Sequence, residues 1–157
     1  MKIIKNIGLS LLIVLVIAQF FGPEKNDGDM ATVAAFITET NPPEDVKKIL
    51  ETTCFDCHSA KTSYPWYNAI TPVNYYLQEH IKDGQKHLNF SKWDTYSLKK
   101  KEHKMDELYE EVAEGEMPLN SYTWTHSEAN LSPTQIAAVV TWGKKVQADY
   151  KQQLNTK

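Results

Sequence analysis

The pentapeptide Cys54-Phe55-Asp56-Cys57-His58 contains the only two cysteines of the 157-residue chain. Two thiols three positions apart can add to the two vinyl groups of one haem, and the histidine that follows can then bind the iron. Cys-x-x-Cys-His is the attachment motif of c-type haem. The spacing therefore predicts one covalently bound haem c, with Cys54 and Cys57 as attachment points and His58 as an iron ligand.

Three other uses of a Cys-x-x-Cys pair compete with haem attachment. A structural zinc ion takes four ligands, and without a second cysteine pair it would need distant histidines. A thioredoxin-like redox pair occurs near strands, and the chain has no strong strand pattern. A disulfide between Cys54 and Cys57 would close a very small loop and constrain the unfolded chain little. The histidine after the second cysteine favours haem.

The second axial ligand of the iron is predicted to be Met117, which lies between Gly115-Glu116 and Pro118. A proline favours extended backbone at the residue before it, so Met117 should lie on a loop and project freely. Methionine with histidine is the ligand pair of cytochromes c. His80 and His126 are the alternatives, and an open coordination position is a third outcome. The less favoured candidates are Met105, His87 and His103.

Aromatic side chains follow the motif in the block Tyr64-Pro65-Trp66-Tyr67. The chain contains no arginine, so haem propionates would have to accept hydrogen bonds from groups such as Trp66, Tyr67 or Lys61. We predict that Trp66 and Tyr67 contact the cofactor. Ordinary core packing is the alternative for both, because aromatic side chains bury large areas.

Residues 1–21 are predicted to form a signal-anchor or transmembrane helix. Lys2 and Lys5 precede an apolar run that continues to Phe21, close to the ~20 residues that cross a bilayer. Val16-Ile17-Ala18 is a weak cleavage site, so a removed signal peptide is the alternative. In both cases the positive end stays in the cytoplasm. The rest of the chain would face the periplasm, at the cytoplasmic membrane.

Residues 22–42 are polar and turn-rich and are predicted to be a linker, although the short run 32–37 could pack on the domain or on the membrane. Residues 43–157 are long enough for one small haem-binding domain. Without Lys2 and Lys5, fifteen lysines face twenty acidic residues, so the exported part carries a net charge of −5. This charge argues against nucleic acid as a partner.

Three or four short amphipathic helices are expected in the domain. The first begins at Pro43, and the second runs from Thr71-Pro72 to a stop at Gly84. The third begins at Ser97 and ends at Gly115. The fourth begins at the capping box Ser132-Pro133-Thr134-Gln135. Together they predict an all-α, cytochrome c-like helical domain around one covalent haem, preceded by the membrane helix.

Several blocks of sequence carry a resemblance to a known family. They are Cys54 to Ser59, Tyr64 to Tyr67, His87 to Trp93, Gly115 to Leu119, and the last helix with Trp142. In this order they resemble the small haem-binding domain family of exported bacterial proteins, over residues 45–145. The resemblance implies covalent haem c, but neither a defined enzyme activity nor a redox partner. In cytochromes c more widely, the methionine of a Met-Pro loop is the distal iron ligand. Met117 is the only residue to which we carry over a role from that wider group.

Three interpretations of the function follow from these expectations. A closed methionine/histidine site predicts an electron carrier that passes single electrons to a protein partner which the sequence does not name. A labile or open site predicts a haem enzyme or sensor for peroxide or diatomic gases. A structural haem in a docking module is the third and weakest interpretation.

Overall fold

The computed structural model describes residues 2–156, and every regular element in that range is helical. The prediction of an all-α fold is therefore confirmed. The α-helices are α1 (Lys2–Ala18), α2 (Ala34–Thr40), α3 (Glu44–Ile49), α4 (Phe55–His58), α5 (Val73–His87), α6 (Leu98–Glu114), α7 (Asn120–Thr123) and α8 (Pro133–Asn155). Short 3-10 helices lie at Met30–Val33, Trp66–Ala69, Phe90–Thr95 and Ser127–Ala129, and a π-helical turn at Leu50–Cys54 joins α3 to α4.

The ends of α6 and α8 follow the capping signals in the sequence. The side chain of Ser97 accepts a hydrogen bond from the backbone N–H of Lys100 at the start of α6. That helix ends at Gly115, whose φ of 77° lies in the left-handed region where glycine is favoured. Ser132 and Gln135 form the predicted capping box of α8. These boundaries were therefore set by local chemistry.

The predicted stop at Gly84 is wrong, because α5 continues through this residue to His87. A Cβ atom at position 84 would lie 2.9 Å from the carbonyl oxygen of Cys57 and 3.1 Å from its Cβ atom. The glycine therefore allows α5 to approach the backbone of the cysteine motif. Its role is close packing between helices and not helix termination.

The hydrophobic core lies where α6 and α8 pack along each other and α2, α3 and the 3-10 helix Phe90–Thr95 pack against them. Trp93 is fully buried, and its indole N–H donates to the hydroxyl of Tyr150 on α8 at 3.3 Å. The indole N–H of Trp142 donates to the carbonyl of Thr40 at 3.1 Å. Both large side chains thus bury their rings while their polar atoms keep a partner.

The segment 22–42, predicted as a linker, contributes to this core. The side chain of Phe36 on α2 has an exposed fraction of 0%. Its ring centroid lies 4.4 Å from that of Phe90 and 4.9 Å from that of Trp93. The structure therefore adds residues 30–40 to the core of the predicted domain 43–157.

Residues before α2 also contact the domain through hydrogen bonds. The amide of Asn26 donates to the carbonyl of Ser59 at 3.0 Å, and the N–H of Thr62 donates to the carbonyl of Asn26 at 3.0 Å. The N–H of Gly28 donates to the carbonyl of Ala60 at 2.8 Å. The start of the predicted linker therefore lies along the segment that directly follows the cysteine motif.

The large apolar side chains of helix α1 are exposed along its length, from 76% at Ile4 to 49% at Leu15. The transmembrane helix predicted for residues 1–21 is not supported here: no helix within residues 2–156 is both long and apolar enough to cross a membrane.

Candidate haem site

The cysteine motif lies on α4, directly after the π-helical turn. Phe55 is buried, and its ring centroid lies 5.3 Å from that of Phe90, which anchors the helix to the core. Cys54 and Cys57 are half-buried and are free thiols. Positions i and i+3 of a helical turn lie on one face. The backbone therefore presents both thiols on the same side of the motif.

Burial suppresses ionisation of these thiols. It raises the pKa of Cys54 to about 12, with a smaller contribution from the neighbouring Cys57 thiol. Burial, and then the charge of Asp56, raises the pKa of Cys57 to about 11. The thiolate is the form that binds metal or attacks disulfides, and in this structure burial favours the protonated form of both thiols. Among residues 2–156, no three His, Cys, Asp or Glu side chains converge on a metal site.

Two backbone carbonyls hold the ring of His58. One belongs to Gly84 within α5, and the other to Leu88, which directly follows this helix. The Nδ1 atom of His58 lies 3.0 Å from the carbonyl oxygen of Gly84 and 3.0 Å from that of Leu88. A carbonyl oxygen only accepts hydrogen bonds, so Nδ1 must carry the proton and Nε2 keeps its lone pair. Metal-binding histidines characteristically show this arrangement. Burial lowers the pKa of His58 and favours the neutral ring that can bind iron.

Asp56, between the two cysteines, connects the motif to two other segments. Its carboxylate accepts hydrogen bonds from the hydroxyl of Tyr122 and from the backbone N–H of Ser63, both at 2.9 Å. Its backbone carbonyl accepts from the hydroxyl of Thr62 at 2.5 Å. Burial and the Asp56 charge raise the pKa of Tyr122, so its hydroxyl remains a donor. The loop after α4 and helix α7 are therefore both fixed to the motif.

A stack of aromatic rings continues from Tyr122. The ring of His126 stacks on Tyr122 with centroids 4.1 Å apart and an interplanar angle of 12°. Tyr67 lies 6.5 Å from His126, edge to face, and its hydroxyl donates to Thr125 at 2.8 Å. The structure thus brings Tyr67 and His126 to the side of the motif that carries Tyr122. Trp66 is 80% exposed, which excludes it from the core of this structure.

Met117 lies on the loop between α6 and α7, the setting that Pro118 predicted. Its N–H donates to the carbonyl of Glu111 at 3.1 Å, so its backbone is tied to the end of α6. Its side chain is half-buried and packs on the same hydrophobic core as Cys54. The loop then continues into α7, which carries Tyr122 to the motif. Met117 therefore lies on a segment that is tied to α6 at its start and reaches the motif through Tyr122 at its end.

The other ligand candidates have different surroundings. Met105 lies on α6 and is fully buried in the core. The Nδ1 atom of His80 lies 2.9 Å from the carbonyl of Tyr76, one turn earlier on α5. His103 forms an ion pair with Glu107 at the surface, and His87 is exposed at the end of α5.

Sequence reasoning missed four residues that shape the site. They are Gly84, Leu88, Asp56 and Tyr122. Gly84 could have been recognised as a point where two helices pack closely, but a glycine inside a helical pattern was interpreted as the end of the helix. The other three act through a carbonyl or through a contact between distant segments, which local spacing does not encode.

The fold and the motif together define a small all-α protein whose paired thiols and carbonyl-bound histidine suit haem. The family model described as the haem-binding domain matches residues 13–145. The match covers most of the chain, from within α1 to within α8. The chain therefore belongs to the haem-binding domain family and is a haem-binding protein. No curated protein and no solved structure matches it.

Proposed function

We propose that this chain is a membrane-attached c-type cytochrome domain that transfers single electrons outside the cytoplasmic membrane. The observation that carries the proposal is the state of His58. Its Nδ1 proton is directed at two carbonyls, which leaves the Nε2 lone pair available, and two free thiols lie in the same five-residue motif. A metal ligand and two attachment points are therefore present within one helical turn.

The proposed attachment is covalent and involves a single haem. Cys54 and Cys57 would each add a thiol across one vinyl group, forming one thioether bond each. Their suppressed ionisation makes unassisted attack slow, so attachment would depend on a cytochrome c maturation system. His58 would bind the iron, and the carbonyls of Gly84 and Leu88 would hold its ring in one tautomer.

Electron transfer is proposed because Met117 is available as a second axial ligand. When bound, haem supplies an iron that changes its oxidation state by one electron. A thioether favours the reduced iron and raises the reduction potential relative to a second histidine. The half-buried position of Met117, on a loop tied to Glu111, suits a ligand that has to stay in place during both oxidation states.

A haem enzyme or sensor is the second candidate, favoured by the polar groups beside the motif. Tyr67, Tyr122 and His126 form one aromatic cluster beside the motif, with Tyr122 and His126 stacked and Tyr67 edge to face. Such polar groups near an open iron position could bind or polarise peroxide or a diatomic gas if the tyrosine hydroxyls exchanged their present hydrogen bonds to Thr125 and Asp56. His80 and His126 also remain candidate iron ligands, in which case the domain would be a bis-histidine carrier.

Attachment to the outer face of the cytoplasmic membrane is proposed from α1. The helix exposes an apolar surface, with Lys2 and Lys5 at its start. A positive start followed by an apolar segment orients the lysines toward the cytoplasm. The haem domain would then face the periplasm.

The decisive experiment is expression of the whole chain with a cytochrome c maturation system. The denatured protein should retain the added mass of one haem, and the ferrous form should resist carbon monoxide. Cys54→Ala and Cys57→Ala should each leave a single thioether, and the double variant should release all haem into acidified organic solvent. Haem that extracts from the unaltered protein would contradict covalent attachment. Immediate binding of carbon monoxide would favour the enzyme or sensor.

A further inference from the structure

Gln19 connects the end of α1 to the start of α5. Its side-chain amide accepts a hydrogen bond from the N–H of Thr71 at 2.9 Å and donates to the carbonyl of the same residue at 3.1 Å. The hydroxyl of Thr71 donates to the carbonyl of Phe21 at 3.1 Å, and the amide of Asn74 donates to that hydroxyl at 3.0 Å. Thr71 and Asn74 are buried. We call Gln19, Thr71 and Asn74 the junction.

The junction explains why a polar amide lies in an apolar run. Gln19 reaches back to its own helix as well, donating to the carbonyl of Leu15 at 2.8 Å. Its amide therefore has three backbone contacts, which together fix one direction of α1 relative to α5. Flexible linkers lack such contacts, since their backbone polar groups bond to water.

Asn26 provides a second attachment of this segment to the domain. Asn26 bonds to Ser59 and Thr62, and its side-chain oxygen accepts from Gln85 on α5 at 3.0 Å. The N–H of Asn26 also bonds to the hydroxyl of Tyr64 at 2.7 Å. The chain from α1 to the cysteine motif is thus attached to the domain at two separate places.

Four apolar side chains are exposed beside the junction. Phe20 and Phe21 directly follow Gln19, Ile70 directly precedes Thr71, and Tyr75 lies one turn later on α5. Their exposed fractions are 82%, 64%, 42% and 44%. We call these four residues the apolar rim. Aromatic side chains with this exposure are typical of the headgroup layer of a bilayer.

The occupant of this surface has to cover α1 as well as the rim. Apolar side chains of α1 are exposed around its whole circumference. A groove on another protein covers one face of a helix, whereas lipid covers all of them, and a helix apolar on all sides is typical of a membrane environment. The rim is continuous with that helix through Phe20 and Phe21. A phospholipid bilayer is therefore the occupant that fits both surfaces.

We propose that the haem domain rests on a phospholipid bilayer in one fixed orientation, with the apolar rim in the headgroup layer and the junction holding it there. The proposal rests on the membrane attachment proposed above. Helix α5 then sets the position of the motif, because it begins next to Thr71 and bonds to His58 through Gly84. At 1.5 Å per residue, the two contacts are about 20 Å apart along the helix.

The test uses the whole haem-loaded chain in vesicles of phosphatidylcholine and phosphatidylglycerol. A fluorescent label is attached to an introduced cysteine in Tyr75→Cys, and in Asp149→Cys as the control on the exposed side of α8. Flotation with the vesicles reports attachment. Quenching by headgroup spin-labelled lipid and by aqueous iodide reports the position of the label. We expect flotation of both proteins, strong lipid quenching at position 75, and iodide quenching at position 149.

Flotation with equal iodide quenching at both positions would overturn the fixed orientation while leaving membrane attachment intact. Loss of flotation would overturn attachment, and the proposal with it. In Gln19→Leu, which keeps α1 apolar, flotation should persist while lipid quenching at position 75 falls toward the value at position 149. Gln152→Leu, an exposed position on α8, should change neither value. Unchanged quenching in Gln19→Leu would overturn the role of the junction.

Discussion

The carbonyl oxygen of Gly84 lies 3.0 Å from Nδ1 of His58. Position 84 has two functions in this contact. Its carbonyl fixes the histidine tautomer, and its missing side chain lets α5 approach the backbone of Cys57. Because both functions need the same close packing, a single added methyl group should disturb the site.

We predict that Gly84→Ala lowers haem incorporation and stability. Alanine is favoured over glycine within a helix by up to about 1 kcal/mol. The added Cβ atom, however, would lie 2.9 Å from the carbonyl oxygen of Cys57. Overpacking of this kind costs about 1–3 kcal/mol, so the net effect should be destabilising. Denaturant unfolding and the haem-to-protein absorbance ratio measure the two effects.

Gly8→Ala is the matched control, because a Cβ atom there meets nothing within 4 Å. This variant should fold and bind haem as the unaltered chain does. If Gly84→Ala bound haem with equal yield and stability, the close contact between α5 and the motif would have no energetic importance.

The elements set by local chemistry could be predicted from the sequence. Ser97, Gly115 and the Ser132 capping box gave the ends of α6 and the start of α8. The buried position of Phe36 could not be predicted in this way. Its short apolar run offered too few turns to distinguish a buried helix from a membrane-surface segment, and its contacts with Phe90 and Trp93 join distant parts of the chain.

The candidate site also contains residues that the sequence predicts and residues that only the folded structure reveals. The thiols and His58 lie within five consecutive residues, so their spacing alone predicted haem, and the family match supports that prediction. The partners of His58 lie 26 and 30 positions away, at Gly84 and Leu88. Tyr122 reaches Asp56 across 66 positions. No periodic pattern links such residues, because only the packed fold brings them together.

We predict that Met117→Ala lowers the reduction potential and opens the iron to carbon monoxide, because the thioether would be lost from the proposed ligand position. The charge-transfer band of the oxidised form, which reports sulfur on iron, should disappear. Optical spectra and redox titration measure these changes. Met105→Ala is the control: a buried methionine lost from the core costs about 2–5 kcal/mol of stability but should leave the potential unchanged. An unaltered band in Met117→Ala would assign the sulfur ligand to another methionine. If the unaltered protein lacked the band, His80 and His126 would be the next candidates.

Another prediction concerns the stability of the core at alkaline pH. The hydroxyl of Tyr150 donates to the carboxylate of Glu39 at 2.9 Å. Burial chiefly, and Glu39 in addition, raises the pKa of Tyr150, although the bond from Trp93 opposes this shift. The folded protein therefore keeps a proton that the unfolded chain loses near pH 10. Stability from this group should be constant below about pH 10 and decrease above it.

Tyr150→Phe should weaken that decrease, as measured by melting temperature between neutral and alkaline pH. The variant lacks two hydrogen bonds, the one to Glu39 and the one from Trp93, each worth about 0.5–1.5 kcal/mol, so it should be less stable at neutral pH. Tyr75→Phe, at an exposed position, should follow the unaltered protein at every pH. Parallel curves for Tyr150→Phe and the unaltered protein would show that this tyrosine does not determine alkaline stability.

The last prediction compares two phenylalanines that precede the predicted domain boundary at residue 43. Phe36 is fully buried, whereas Phe20 is 82% exposed. Truncation of a buried phenylalanine to alanine removes its transfer free energy and leaves a cavity, which costs about 3–5 kcal/mol. Phe36→Ala should therefore lower the free energy of unfolding by that amount, and Phe20→Ala should leave it unchanged. Urea unfolding of the detergent-solubilised, haem-loaded protein measures both. Equal stabilities for the two variants would show that residues 30–40 are not an integral part of the folded haem domain.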